Sequence, residues 1–125
     1  MGARTFEELE CWQLASDLKR GVREIIAKPP ANRDFDFCDD IRASSRSAPS
    51  NIAEGFGRTT HRDFAHFLSI AYGSLQETRN HLTDAFENGY ISREDLQRLT
   101  TLARRASAAT DALRGYLLRT PSRRR

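Results

Sequence analysis

Residues 60–89 read THRDFAHFLSIAYGSLQETRNHLTDAFENG. Within them Phe64, Leu68, Ala71, Leu75, Thr78, Leu82 and Ala85 recur at spacings of 4, 3, 4, 3, 4 and 3. That alternation lines one face of a helix and does not match the two-residue period of a strand. Thr60, with Asp63 three residues on, supplies a capping start, and Asn88-Gly89 supplies an end that tolerates the left-handed conformation. The segment predicts a long helix with one apolar stripe.

The same grammar extends in both directions. Downstream, Ser92 caps a helix in which Leu96, Leu99, Ala103, Ala106, Thr110, Leu113 and Leu117 repeat at 3, 4, 3, 4, 3 and 4, ended by Thr120-Pro121. Upstream, Thr5-Phe6-Glu7-Glu8 has the form of a capping box. From about Glu7 to Lys28, Cys11, Ala15, Leu18, Val22 and Ile25 form the stripe, and Pro29-Pro30 stops it. A second helix is expected from near Phe37, with Phe37, Ile41, Ser44 or Ser45, Ala48 and Ile52 inward, a kink at Pro49, and Gly55 and Gly57 at its end. Four amphipathic helices of roughly 20–29 residues with short connections predict an all-α, antiparallel up-down-up-down four-helix bundle.

The chain has 125 residues, 38% of them hydrophobic and 30% charged. That length predicts one bundle domain over residues 1–120, leaving 121–125 as a flexible basic tail. No run approaches the ~20 apolar residues of a membrane span, so no membrane partner is expected. The N-terminus turns acidic where a signal peptide would need an apolar core, so the expectation is a cytoplasmic protein of bacterial type. Cys11 and Cys38 lie 27 apart and match neither a zinc pattern nor a redox CxxC. Their number allows a disulfide, but buried or half-buried free thiols fit the compartment better.

Beyond the stripes, Trp12 and Leu14 on the first helix, and Phe67, Ile70 and Tyr72 on the third, are large apolar residues off the main seam. Either the core face is wide or a second surface is buried by self-association.

The stretch Ser47-Ala48-Pro49-Ser50-Asn51-Ile52-Ala53-Glu54-Gly55-Phe56-Gly57-Arg58 is too specific for generic helix. It resembles the signature of the four-helix-bundle proteins first noticed as reading frames in intervening sequences of bacterial 23S rRNA. Residues 6–15, 64–77 and 89–92 resemble the same family's opening, third-helix pattern and last turn, covering roughly residues 5–118. The resemblance implies an all-α bundle assembling as a ring, commonly a homopentamer. It also implies kinship with the accessory protein of diversity-generating retroelements, a basic pentamer that binds reverse transcriptase and nucleic acid. Ala48 departs from the Ile that commonly precedes the proline, and Ser44, Ser45 and Ser47 enrich the second helix in serine.

Read physically, Trp12, Pro49, Asn51, Ile52, Glu54, Gly55 and Arg58 are motif residues with a structural role. Asn51 can bond a carbonyl freed by Pro49, and Glu54 can pair with Arg58 one turn later. The alternative is that Asn51, Glu54 and Arg58 line a shared pocket or a subunit contact.

Catalytic chemistry finds no constellation. His61, His66 and His81 all fall on the third helix, and Asp63 with His66 is only half of a bundle di-metal motif. No metal, cofactor or catalytic residue is expected, and the histidines read as surface or satisfied side chains. The serines at 44–50 have no neighbouring histidine, and Gly55-Phe56-Gly57 lacks the Lys-Ser/Thr of a phosphate loop.

Charge is more informative. The formal net charge is +3, yet residues 1–40 carry 6 basic and 9 acidic groups while residues 81–125 carry 9 and 5. At 100° per residue, Arg93, Arg98, Arg104, Arg105 and Arg119 share an arc of roughly 140° on the fourth helix, opposite its leucines. Arg123, Arg124 and Arg125 follow in the tail. Arginine outnumbers lysine 18 to 2, and guanidinium suits phosphate contact. Two functions follow from different classes. The first is a non-enzymatic oligomeric accessory protein that touches RNA or DNA backbone through this arc, with or without a protein partner. The second is a structural or protein-interaction ring with no nucleic-acid role, its arginines forming an ordinary solvated face.

Overall fold

The computed structural model describes residues 2–122. The described residues form four α-helices: α1 over Glu10–Ile26, α2 over Phe35–Phe56, α3 over His61–Glu87 and α4 over Arg93–Arg119, with 3-10 turns at Phe6–Glu8 and Ala31–Arg33. Each α-helix packs on its neighbour in sequence and α1 closes the ring against α4. That is the expected up-down bundle. At 1.5 Å per residue the two 27-residue helices are about 40 Å long.

The stripe in residues 60–89 is the core. Phe64, Leu68, Ala71, Leu75, Thr78, Leu82 and Ala85 are all fully buried. Cys11, Ala15, Leu18 and Val22 meet them from α1, Ile41, Ala48 and Ile52 from α2, and Leu99, Ala103 and Ala106 from α4. Both cysteines are free and buried. Burial pushes the Cys11 thiol up to about 11, and the Cys38 thiol bonds the Ala31 carbonyl at 3.2 Å. Among the described residues no helix is long and apolar enough to cross a membrane.

The helix ends differ from expectation at three places, one of them the end of α1, which stops at Ile26 and not Lys28. α1 begins at Glu10, not Glu7, because Phe6–Glu8 form a separate 3-10 turn and Leu9 is extended. The capping box is real but belongs to that turn: the Glu8 carboxylate accepts from the Thr5 N–H at 3.0 Å. α2 begins two residues early, since Asp34 caps it by accepting from the Phe37 N–H at 3.2 Å. Asp34 also accepts the Tyr90 hydroxyl at 2.6 Å, which ties the start of α2 to the turn between α3 and α4. The other starts agree. Thr60 and Ser92 accept from Asp63 and Asp95 N–H groups at 3.1 Å, and Gly89 takes φ +76° after α3.

The serines of α2 explain how closely it approaches α3. Ser44 Oγ lies 2.8 Å from the Thr78 hydroxyl, and Ser47 Oγ lies 2.8 Å from the Ser74 hydroxyl. Small side chains bring the helices together, and the bonds between them satisfy hydroxyls that would be costly to bury alone. Asn51 does not cap the carbonyl that Pro49 leaves without its usual donor, which is Ser45's. Its Nδ2 donates instead to the Ser47 carbonyl at 2.8 Å and to Ser47 Oγ at 3.0 Å. The helix continues through Pro49 to Phe56.

Candidate nucleic-acid interface

α4 turns Leu99, Ala103, Ala106 and Leu117 inward, so residues half a turn away face solvent. Arg93, Arg98, Arg104, Arg105 and Arg119 are all exposed, as are Glu94 and Asp111 between them. The arc exists, but its arginines are not equivalent. The Arg93 guanidinium lies over the Phe86 ring at 5.3 Å, and Arg98 is 3.3 Å from Asp95. Arg119 folds back along its own helix beside Gly115. Arg104 and Arg105 have no acidic partner among the described residues. Arg123, Arg124 and Arg125 lie outside the described residues. From Arg93 to Arg119 is about 39 Å of helix, so the stripe is a track, not a single site.

Two grooves flank its middle. One, of about 540 Å³, runs between α3 and α4, lined by Arg79 and Arg104 with the amides of Gln76, Asn80 and Gln97 and the hydroxyls of Thr83, Thr100 and Thr101. Among the described residues no carboxylate lines it. The other, also of about 540 Å³, is lined by Gln97, Arg98, Thr101, Leu102 and Arg105 and carries Glu94. The cationic surface thus concentrates on Arg104 and Arg105, with Arg79 added from the neighbouring helix and Arg98 partly offset by Asp95. Guanidinium forks and amide donors in a groove free of carboxylates suit phosphate and sugar oxygens.

Arg79 and its polar neighbours are absent from the arginine arc of α4, yet a signal for them exists. Gln76, Arg79, Asn80 and Thr83 follow one another at 3, 1 and 3 residues, a polar band beside the buried stripe of α3.

The motif residues make contacts within the subunit. Trp12 is half-buried and meets Phe6 edge-on at 5.3 Å, which pins the N-terminal 3-10 turn. Ile52 is fully buried and Asn51 braces α2. Glu54 and Arg58 pair at 2.8 Å, and the Arg58 guanidinium covers the Phe67 ring at 4.6 Å. Gly55 is packed so tightly that a Cβ there would lie 2.8 Å from Phe64 Cδ1 and 2.9 Å from Phe67 Cβ. Asn51 and Glu54–Arg58 therefore serve different contacts, the first within α2 and the second across the turn into α3. This is the closure of a helical hairpin where α2 and α3 approach closely.

The family model described as 23S rRNA-intervening sequence protein matches residues 7–111. The chain belongs to that family. No curated protein matches it. The matched span takes in the Trp12 anchor, the Pro49–Arg58 hairpin closure and Arg93, Arg98, Arg104 and Arg105 of α4. Arg119 lies beyond it.

The histidines split. His61 Nδ1 is 2.7 Å from the Thr120 carbonyl, and the His61 backbone N–H donates to Ser122 Oγ at 2.7 Å, so the end of α4 is held against the start of α3. His66 is exposed beside Phe67. His81 Nε2 is buried without a hydrogen-bond partner among the described residues, 3.6 Å from Glu77 Oε2.

Of the off-seam apolar residues, Leu14 is core, so the face of α1 is wider than its seam. Phe67 is half-covered by Arg58. Ile70 and Tyr72 are 40% and 38% exposed on α3, with Leu118 at 56% on α4 and Phe35 at 75% on α2.

Proposed function

We propose that this protein is a non-enzymatic, homo-oligomeric member of the 23S rRNA-intervening sequence protein family. It acts as an accessory factor that contacts RNA or DNA backbone through α4. The observation that carries the reading is the exposed pair Arg104 and Arg105, joined by Arg98 on one flank and by Arg79 across a groove without a carboxylate among the described residues. Such a surface binds by charge and counterion release, not by sequence. Repeating it around a ring multiplies its charge, and a homopentamer is the assembly proposed. Exposed Ile70 and Tyr72 on α3 supply apolar surface for the subunit contact.

A second reading is a structural or protein-interaction ring without nucleic acid. It is favoured by the partial neutralisation of the track through the Arg98–Asp95 pair and by the exposed Glu94 beside it. Light scattering coupled to size exclusion, with and without a 30-nucleotide RNA at 50 mM salt, separates the two. The proposal expects an oligomer that carries RNA at low salt and loses it as salt rises. An oligomer with no RNA at 50 mM salt supports the second reading, and a monomer counts against both.

A further inference from the structure

The first third of the chain is acidic in sum, yet α1 sorts its charges. Glu10, Asp17 and Glu24 fall within an arc of roughly 40°. Lys19 and Arg23 fall roughly 100–180° away from them, on the side that faces α2. There they meet Arg42 and Arg46 across a cleft of about 210 Å³, whose remaining lining is Val22, Ile26 and Ser45. Four cations surround it, and no carboxylate of the described residues lines it. Val22 and Ile26 are buried and make an apolar floor, and Ser45 is buried as well.

We propose that this α1/α2 cleft binds a small phosphomonoester. Lys19 and Arg23 are one turn apart on α1, and Arg42 and Arg46 are one turn apart on α2. Like charges at that spacing repel. Arg42 is offset by Asp39 at 3.1 Å, but Lys19, Arg23 and Arg46 have no acidic partner among the described residues. Folding therefore gathers cations around a concave surface, and a dianion seated among them removes the repulsion. Guanidinium forks from two helices match the oxygens of a phosphoryl group, which is close to doubly charged at pH 7. Val22 and Ile26 provide a surface for the short carbon stem of an ester, a contact a bare solvated patch would lack. The volume is below the ~300–1,000 Å³ of sites for larger ligands, which sets the size class. The cleft lies across the bundle from the α3/α4 groove, so this site stands independently of the nucleic-acid reading.

Glycerol 3-phosphate is the probe, with glycerol and sodium chloride of matched ionic strength as controls. At 10 mM it should raise the melting temperature by about 3–5 °C over both controls, the shift expected for roughly tenfold excess over Kd. Its 31P resonance should broaden on adding protein. The Arg23→Gln/Arg46→Gln double variant should lose both effects and, without ligand, melt at or above the wild type. That last readout separates a ligand site from a structural ion cluster. The Arg104→Gln/Arg105→Gln variant should keep both effects. Equal shifts with chloride, equal shifts in the Arg23/Arg46 variant, or no 31P broadening would each overturn the proposal. A phosphate response abolished only in the Arg104/Arg105 variant would do so too, by assigning it to α4.

Discussion

Replacing Gly55 by alanine probes the tightest interhelical approach in the family stretch. Ordinarily Gly→Ala inside a helix gains up to ~1 kcal/mol, because glycine has more backbone freedom to lose. At position 55 the new Cβ would stand 2.8 Å from Phe64 Cδ1, 2.9 Å from Phe67 Cβ and 3.2 Å from the Phe64 carbonyl oxygen. The Phe64 ring is fully buried, and Phe67 Cβ and the carbonyl are fixed to the α3 backbone. Relief then needs α2 and α3 to separate where the Glu54–Arg58 pair and Phe67 hold them. Overpacking of this kind costs ~1–3 kcal/mol. Subtracting a full propensity gain of ~1 kcal/mol leaves a net cost of about 0–2 kcal/mol, or up to roughly 8 °C in Tm for a chain of this size. Gly73→Ala is the matched control, since it also lies in a helix and nothing is within 4 Å of its added Cβ. It should gain up to ~1 kcal/mol. Both are measured by urea and thermal denaturation at one protein concentration, because self-association couples stability to concentration. A Gly55→Ala protein stabilised as much as the Gly73→Ala control would show that α2 and α3 do not press on each other there.

Other outcomes follow from named contacts. Thr78→Val removes the hydroxyl 2.8 Å from Ser44 Oγ and 2.9 Å from the Ser74 carbonyl, and should cost ~1 kcal/mol in denaturant melts. Cys11 and Cys38 are buried, with the Cys11 thiol pushed up to about 11. An aromatic disulfide reagent at pH 8 should therefore label them only at the rate of unfolding, and fast labelling of the native protein would contradict their burial. Asp34 is held below its ordinary value, first by the Tyr90 hydroxyl and then by the Phe37 N–H. Its contribution is present above the ordinary carboxylate pKa near ~4 and disappears as pH falls through the lowered value. Asp34→Asn should flatten that part of the acid-unfolding curve. If the curves coincide, the Tyr90–Asp34 tie carries no linkage.

Much of the fold is legible because the bundle is written in repeating stripes. Every stripe position on α3 and the inward positions of α1 and α2 follow from 3/4 spacing alone, and Ser92 and Thr60 cap as their side-chain chemistry demands. What periodicity does not carry is context between helices. Leu14 falls off the seam but is core, since α1 is flanked by both α2 and α4 and buries a wide face. Asn51 has an amide able to reach any carbonyl a turn back, and only the position of Ser47 shows which one it takes. The early start of α2 depends on Asp34, whose hold is reinforced by Tyr90, 56 residues away. The same limit applies to function. An arc of arginines can be drawn from one helix, whereas the α3/α4 groove needs Arg79, and the α1/α2 cleft needs two helices to face each other. Net charge by segment misleads for the first third, because Lys19 and Arg23 lie on a different side of α1 from Glu10, Asp17 and Glu24, where Arg20 pairs with Asp17.

A phosphate-contacting surface on α4, centred on Arg104 and Arg105, is tested most directly by fluorescence anisotropy. A labelled 30-nucleotide RNA is titrated across 50–300 mM salt with the wild type and with Arg104→Gln/Arg105→Gln. For the wild type, log K should fall linearly with log salt. In the double variant binding should weaken, and the slope should become shallower by about 0.7 for each phosphate no longer neutralised per subunit engaged. A wild-type protein that does not bind at 50 mM salt, or a double variant with unchanged affinity and slope, would contradict it.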